Sequence, residues 1–327
     1  MLNYIIKRFI YMIPTLLLIS LVVFIVIQLP PGDWLTAYVA SLRESGDEID
    51  PITVELLRER YGFNQPFFTK YLNWISGVLQ GDFGYSFGWR KPVGELIWDR
   101  LGLTLVVSVS TLLFTWIVSF AIGLYSATHQ YSFGDYLATF LGFIGLATPN
   151  FMLALILMYL AYKYFGLSVS GLFSIEYAMA PWSWAKFVDL LKHLWIPIIV
   201  IGTAGTASLI RVLRANLLDE LGKPYVVTAR AKGLSYLRLL FKYPVRIALI
   251  PFVSTVGWTF AGLISGSVIT GIVLNLPTTG PMLLQALKTQ DMYLAGSFLL
   301  FLSIITVIGT LVSDLLLAII DPRIRYE

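Results

Sequence analysis

Six long stretches of this chain are almost purely apolar: residues 9–29, 101–126, 136–162, 194–210, 247–274 and 294–320. Of Asp, Glu, Lys, Arg and His they contain only Asp314, near the end of the sixth. A helix that crosses a bilayer needs roughly 20 mostly apolar residues, and within the bilayer the backbone must close its own hydrogen bonds. The pattern therefore predicts an all-α polytopic membrane protein with six transmembrane helices. Composition agrees. Charged residues make up 13% of the chain and hydrophobic residues 57%, and that charged share is about half the usual one for a soluble protein. A mean hydropathy of +0.77 would leave a soluble fold with far too much apolar surface in water.

Orientation follows from the basic residues. Lys7-Arg8 precedes the first run, which is too long for a signal-peptide core and lacks a small-residue cleavage site behind it, so it reads as a retained span. With the N-terminus inside, the cytoplasmic segments hold 12 Lys/Arg in 60 residues, against 11 in 121 residues outside. That density difference predicts both termini in the cytoplasm. The net charge of +4 sits largely in one loop, so it speaks for topology and not for nucleic acid. The chain has no cysteine, which excludes disulfides, thiolate metal sites and a cysteine nucleophile. His129 and His193 are too few and too far apart in sequence to suggest a zinc centre.

The chain divides into an N-terminal segment with the first span (1–29), a long extracellular first loop (30–100) and a five-span core (101–327). The first loop is too long for a mere connector. It opens on the turn Pro30-Pro31-Gly32-Asp33, continues through a helical stretch at 51–61, and carries a Gly-rich run at 81–88 with many aromatics. It reads as an amphipathic cover at the membrane face, with a contact surface for a delivery protein as the other reading.

Prolines and glycines interrupt the spans at Pro14, Pro149, Pro197, Gly257, Gly262, Gly266 and Gly271. Such breaks are tolerated where neighbouring helices satisfy the freed backbone groups. The Gly262-x-x-x-Gly266 spacing suits close helix approach. Trp258, Phe260, Gly262 and Gly266 are the candidates for lining a translocation path, with plain apolar packing as the simpler reading.

Between the fourth and fifth spans, residues 211–246 carry eight Lys/Arg against two acids, Asp219 and Glu220. Pro224 suits a first helical position, Gly233 can end a short helix in the left-handed conformation, and Ser235 can cap a second. No G-x-x-x-x-G-K-[ST], G-x-S-x-G or H-E-x-x-H sequence occurs, so no catalytic residue, metal site or bound nucleotide is expected. Span centres without ionisable residues argue against proton- or ion-coupled transport. If the protein moves a substrate, energy enters from another subunit, and the basic loop is the place for it.

Here the residues resemble a known family. Arg211-x-x-Arg214, Glu220-Leu221, Tyr225, Thr228-Ala229-Arg230-Ala231-Lys232-Gly233-Leu234 and Arg246-x-Ala248-Leu249-x-Pro251 are similar to the cytoplasmic loop of ABC-type dipeptide/oligopeptide import permeases, in particular the first of their paired membrane subunits. The likeness runs nearly end to end. It takes in Pro31-Gly32-Asp33, Gln65-Pro66, Gly81-Asp82-Phe83-Gly84 with Ser86, Pro149, Pro277-x-x-Gly280, Asp291 and the tail Asp321-Pro322-Arg323-Ile324-Arg325-Tyr326. Departures are Pro224, Tyr243-Pro244 and Ile247.

The resemblance implies the type I ABC importer transmembrane-domain fold and a non-catalytic subunit of a prokaryotic inner membrane. It implies a coupling helix that docks on a separate ATPase through Tyr225, Thr228, Ala229, Arg230, Ala231, Lys232 and the turn at Gly233. The implied partners are a second homologous permease, two ABC ATPases that hold ATP and Mg, an extracellular substrate-binding protein and membrane lipid. The expected cargo is a peptide. Oligosaccharides or nickel carried by the same machinery are the alternatives, and a non-transporting membrane scaffold or intramembrane enzyme is the reading from another class.

Overall fold

A computed structural model describes residues 2–45, 50–60 and 62–320, and all their side chains except those of residues 2–5, 60, 258, 260, 261, 265 and 266. The described residues are helical almost throughout. In order they form α1 (Leu2–Gln28), α2 (Trp34–Glu44), α3 (Pro51–Arg60) and α4 (Phe67–Leu79). A two-residue antiparallel hairpin of β1 (Tyr85–Ser86) and β2 (Lys91–Pro92) leads into α5 (Val93–Thr128), α6 (Phe133–Ala147), α7 (Asn150–Phe165), α8 (Ile175–Ala178) and α9 (Trp184–Leu221). The remainder is α10 (Pro224–Ala231), α11 (Tyr236–Lys242), α12 (Pro244–Ser254), α13 (Val256–Gly266), α14 (Val268–Val273), α15 (Thr279–Lys288) and α16 (Met292–Ile320).

Among the described residues α1, α5, α9 and α16 are each long and apolar enough to cross a membrane, and α6 with α7 makes a fifth span if the bent pair is counted as one. Six continuous helices were expected; two of the six apolar stretches differ. The third is bent by 105° between α6 and α7. Thr148 leaves the helical region (φ −82°, ψ 122°) and Pro149 follows it (φ −57°, ψ 133°), as a residue before proline is pushed toward extended backbone. The fifth stretch is divided into α12, α13 and α14 at Thr255 and Ser267. By contrast Pro14 and Pro197 lie inside the unbroken α1 and α9.

Helices also outrun the apolar stretches. α9 continues 11 residues past Ile210, through RVLRANLLDEL, because those residues are good helix formers and nothing breaks the helix before Gly222. The first 11 residues of the expected 211–246 loop are therefore helix.

The backbone divides into two compact units. One comprises Lys7–Thr104 with Thr278–Ile305. Its described residues between 30 and 100 are largely helical. Asp33 caps α2 by accepting from the Thr36 N–H at 2.8 Å and the Thr36 hydroxyl at 2.7 Å, the expected turn put to use as an N-cap. Two aromatic clusters fill the unit. Phe24, Trp74 and Leu300 form one, with Phe24 stacked on Trp74 at 5.5 Å, and Leu35, Phe63 and Phe87 form the other.

Asp291, fully buried, ties the Gly-rich run to the start of α16. Its Oδ2 accepts from the Ser86 hydroxyl at 2.6 Å and the Gly88 N–H at 3.1 Å, and its Oδ1 from the Leu294 N–H at 3.4 Å. Gly84 (φ +84°) lies against the Tyr293 ring, where an added Cβ would come within 2.9 Å. Gly84, Ser86 and Asp291, three residues that carry the resemblance, thus lie in one knot.

The other unit comprises Leu105–Pro277 together with the two chain-terminal segments, and α9 runs through its middle. Leu209, Leu213 and Leu217 lie on one stripe of α9, at the i, i+4, i+8 spacing of a single helix face. They pack with Ala127, Leu240, Val245, Ala248 and Phe252. Facing α9, α5 presents small residues. Gly123 lies against Leu213, and the Ser119 hydroxyl donates to the Thr206 carbonyl at 3.1 Å, the small-residue and hydroxyl contacts by which helices associate in lipid.

Burial pushes the Asp291 carboxyl above its ordinary range, against the pull of its hydrogen-bond donors. A raised folded-state value means the folded unit holds this proton more tightly than the unfolded chain. Its contribution is full below the ordinary carboxylate value and is lost as pH rises through the raised one. Asp291→Asn should flatten that slope, whereas Asp291→Ala leaves the Ser86 and Gly88 donors unpaired at about 1–3 kcal/mol each. Thermal unfolding of the detergent-solubilised chain from about pH 4 to about pH 7, bracketing the carboxylate range, reads both.

Candidate functional site

The end of α9 and the two short helices after it form the first candidate site. Gly222 ends α9, Lys223 is the N-cap of α10, and Pro224 takes the first helical position, where its missing N–H costs nothing. Gly233 follows at φ +76° with open space where a Cβ would stand, so backbone conformation alone requires glycine there. Ser235 occupies the N-cap of α11, but its hydroxyl makes no cap hydrogen bond.

The pair has its own small core of Val226, Ala229 and Leu239, edged by Tyr225, Leu234 and Tyr243. The helical period of α10 sets what remains outside. Thr228, Arg230, Ala231 and Lys232 are exposed, as is Val227 at 62%. Ala229, expected on the docking face, is instead buried against α11. Tyr225 is half-buried and its hydroxyl donates to Glu220 in the last turn of α9, which fixes the start of α10 to the end of α9. Burial first, then the Glu220 hydrogen bond, pushes the Tyr225 phenol well above its ordinary value. Arg246 of the motif donates to the Ile320 carbonyl at 3.2 Å, a basic residue meeting the last carbonyls of α16. The tail at 321–326 lies outside the described residues.

A cavity of about 260 Å³ in the same unit is the second candidate site. It is lined by Asn150 at the start of α7, by Ile201, Ala204, Gly205, Ser208 and Leu209 of α9, and by Thr259, Gly262 and Leu263 of α13. Of the path candidates read from sequence, Gly262 lines it. The side chains of Trp258 and Phe260 lie outside what the structure describes, and Gly266 is placed only as the last residue of α13. Asn150, Ser208 and Thr259 were not singled out from sequence. The proline before Asn150 was the available signal, since the break at Pro149 brings the first turn of α7 to the cavity.

Sequence reasoning also missed an ion pair. Arg214 grips Asp135 with two parallel hydrogen bonds, Nε to Oδ1 at 3.0 Å and Nη2 to Oδ2 at 2.8 Å. Seventy-nine residues separate them, and no spacing rule spans that distance.

The family model of the binding-protein-dependent transport system inner membrane component matches residues 119–326, and the model of the N-terminal part of such membrane components matches residues 1–108. The chain belongs to this family. It is a multi-pass membrane permease component of an ABC-type transport system, not the catalytic subunit.

Two relatives match over essentially their whole length. The oligopeptide transport system permease protein AppB of Bacillus subtilis (strain 168) is 35% identical over 325 residues, covering 99% of each chain. The glutathione transport system permease protein GsiC of Escherichia coli (strain K12) is 32% identical over 327 residues, covering 100% of each. Among solved structures, a chain of the MetNI methionine ABC transporter, in an inward-facing conformation, matches 69% of this chain and 98% of its own. The TM-score is 0.52 at 14% identity. That likeness is one of fold: the permease fold of an ABC importer.

Tyr225→Phe removes a hydrogen bond to a charged partner, worth about 1.5–3 kcal/mol. It should speed hydrogen exchange of the α10 amides from Val226 onward and leave those of Leu213 and Leu217 unchanged. Because the phenol stays protonated well into the alkaline range, the difference should be the same at about pH 7 and about pH 9.

Proposed function

We propose that this chain is the permease subunit of an ATP-driven, binding-protein-dependent importer of peptides. The observation that carries the proposal is the end-to-end match to AppB, an oligopeptide permease, at 99% coverage of both chains. GsiC points the same way, because glutathione is itself a small peptide. The uncharged lining of the α7–α9–α13 cavity suits a path for cargo whose side chains vary.

In this reading the chain crosses the membrane six times. The α6–α7 pair is the third passage and the α12–α14 run the fifth, with both termini in the cytoplasm and 30–100 outside. It pairs with a second homologous permease, and the two engage two separate ATPases that bind ATP and Mg. A binding protein outside delivers the peptide. The permease moves it by alternating access, and only a partner with different affinities for the two states can drive such a shift.

The exposed face of α10, with Thr228, Arg230, Ala231 and Lys232, is the docking surface for an ATPase, with Tyr225 and Gly233 fixing its entry and exit. Ala229 contributes from beneath, as the small residue that lets α11 close on α10.

The test places Arg230→Glu in the full chain, assembled with its partners in vesicles. Reversing a cation at a docking face should weaken ATPase attachment and lower ATP-driven peptide uptake by at least about tenfold, the size of about 1.4 kcal/mol. Uptake and ATPase co-purification equal to wild type would refute the docking role.

A further inference from the structure

The Arg214–Asp135 pair has a geometry that stability alone does not explain. The Asp135 side chain is 3% exposed and that of Arg214 27%. The carboxylate is fixed from its own side as well. It accepts from the Tyr131 N–H at 3.0 Å, and its backbone N–H is capped by the Ser132 hydroxyl at 3.2 Å. Tyr131 stands at φ +64° to make that turn. At Gly134 a Cβ would lie 2.5 Å from the Tyr125 hydroxyl, so the α5–α6 turn is held against α5. In energy a buried ion pair seldom beats an apolar pair of equal volume. What a planar guanidinium gripped on a carboxylate adds is fixed direction and register.

Its position gives that register a use. Arg214 lies two turns before the end of α9, and Glu220 in the last turn holds Tyr225 of α10. On the other side Asp135 sits in the first turn of α6. The far end of α6 is the break at Thr148-Pro149, and the next residue, Asn150, lines the cavity together with Gly205 and Ser208 of α9. A contiguous series of contacts thus leads from α10 through α9 and α6 to the cavity.

We infer that Arg214 and Asp135 are positioning residues: their pair is a strut that makes α6 move as one body with the α9–α11 end. Displacement of α10 then reaches the Pro149 break and the cavity wall. The inference rests on the permease reading above and adds to it a named route for the motion. Without the strut α10 still docks and ATP is still hydrolysed, but α6 no longer follows.

The experiment uses the full chain assembled with its partner permease and ATPases in phospholipid vesicles. The natural sequence has no cysteine, so paired spin labels can be introduced at Tyr136 on α6 and Leu237 on α11, which are 60% and 66% exposed. The expected wild-type result is one narrow distance, unchanged between nucleotide-free and ATP-bound complexes. Asp135→Asn should broaden the distribution and make it shift with ATP. It should also lower uptake of radiolabelled trialanine per ATP hydrolysed by about tenfold, a usual size for coupling between sites. The exchanged pair, Asp135→Arg with Arg214→Asp, should restore the narrow distance.

A wild-type distance that shifts with ATP, or an Asp135→Asn distribution identical to wild type, overturns the strut. If Asp135→Asn does not assemble, Arg214→Lys is read the same way, since it keeps the charge and loses the fork. Failure of both to assemble also overturns the strut, because the pair then serves folding alone. Wild-type vesicles that hydrolyse ATP without taking up trialanine count against the peptide reading, while the distance measurement still decides the strut.

Discussion

A peptide group in hydrocarbon has no water to bond to, so each helix of such a chain must close its own hydrogen bonds, and every break must be covered by protein. α9 is continuous over 38 residues, from Trp184 to Leu221, and forgoes the one ladder bond that Pro197, with no N–H, cannot donate. Its Leu209–Leu213–Leu217 stripe and its Gly202 and Gly205 steps give α5, α12 and α13 surfaces to pack on. Within the apolar stretches of its unit, α9 is unbroken, and the described breaks fall at the α6–α7 corner and in the α12–α14 run. The cavity lies where those interrupted helices face the uninterrupted one.

Much of this was legible in the sequence, and the boundary is physical. Signals that act within a few residues read mostly correctly. Pro224 starts α10 and Gly233 leaves it at positive φ, while Ser235 takes the N-cap position of α11 without the cap hydrogen bond. The length of the apolar runs found the long apolar helices. What local signals could not decide was which prolines break a helix: Pro149 does, while Pro14 and Pro197 do not. Hydropathy also misplaced the helix ends, because 211–221 is polar yet still strongly helix-forming.

At the candidate sites, recognition of the basic helix came from its residue pattern, whereas the side it presents did not. Ala229 turned inward because α11 folds back on α10, a contact set by Leu239 and Tyr243 beyond the turn. The cavity residues Asn150, Ser208 and Thr259, and the Asp135–Arg214 pair, join distant parts of the chain. Such long-range contacts carry no signature in one sequence. The Asp291 knot is of the same kind: Ser86 and Asp291 are 205 residues apart, and only the family pattern pointed at both.

The inward turn of Ala229 bears on the kind of joint this surface can make. Val226, Ala229 and Leu239 are already spent on one another, so a partner on α10 itself meets Arg230, Lys232 and the Thr228 hydroxyl, with Val227 as its large exposed apolar side chain. A contact of that sort gains speed and selectivity from charge more than tightness from burial, and salt weakens it. If α10 is the docking surface proposed above, such a joint would act as a bearing and not as a weld, transmitting push and pull without becoming part of the permease core.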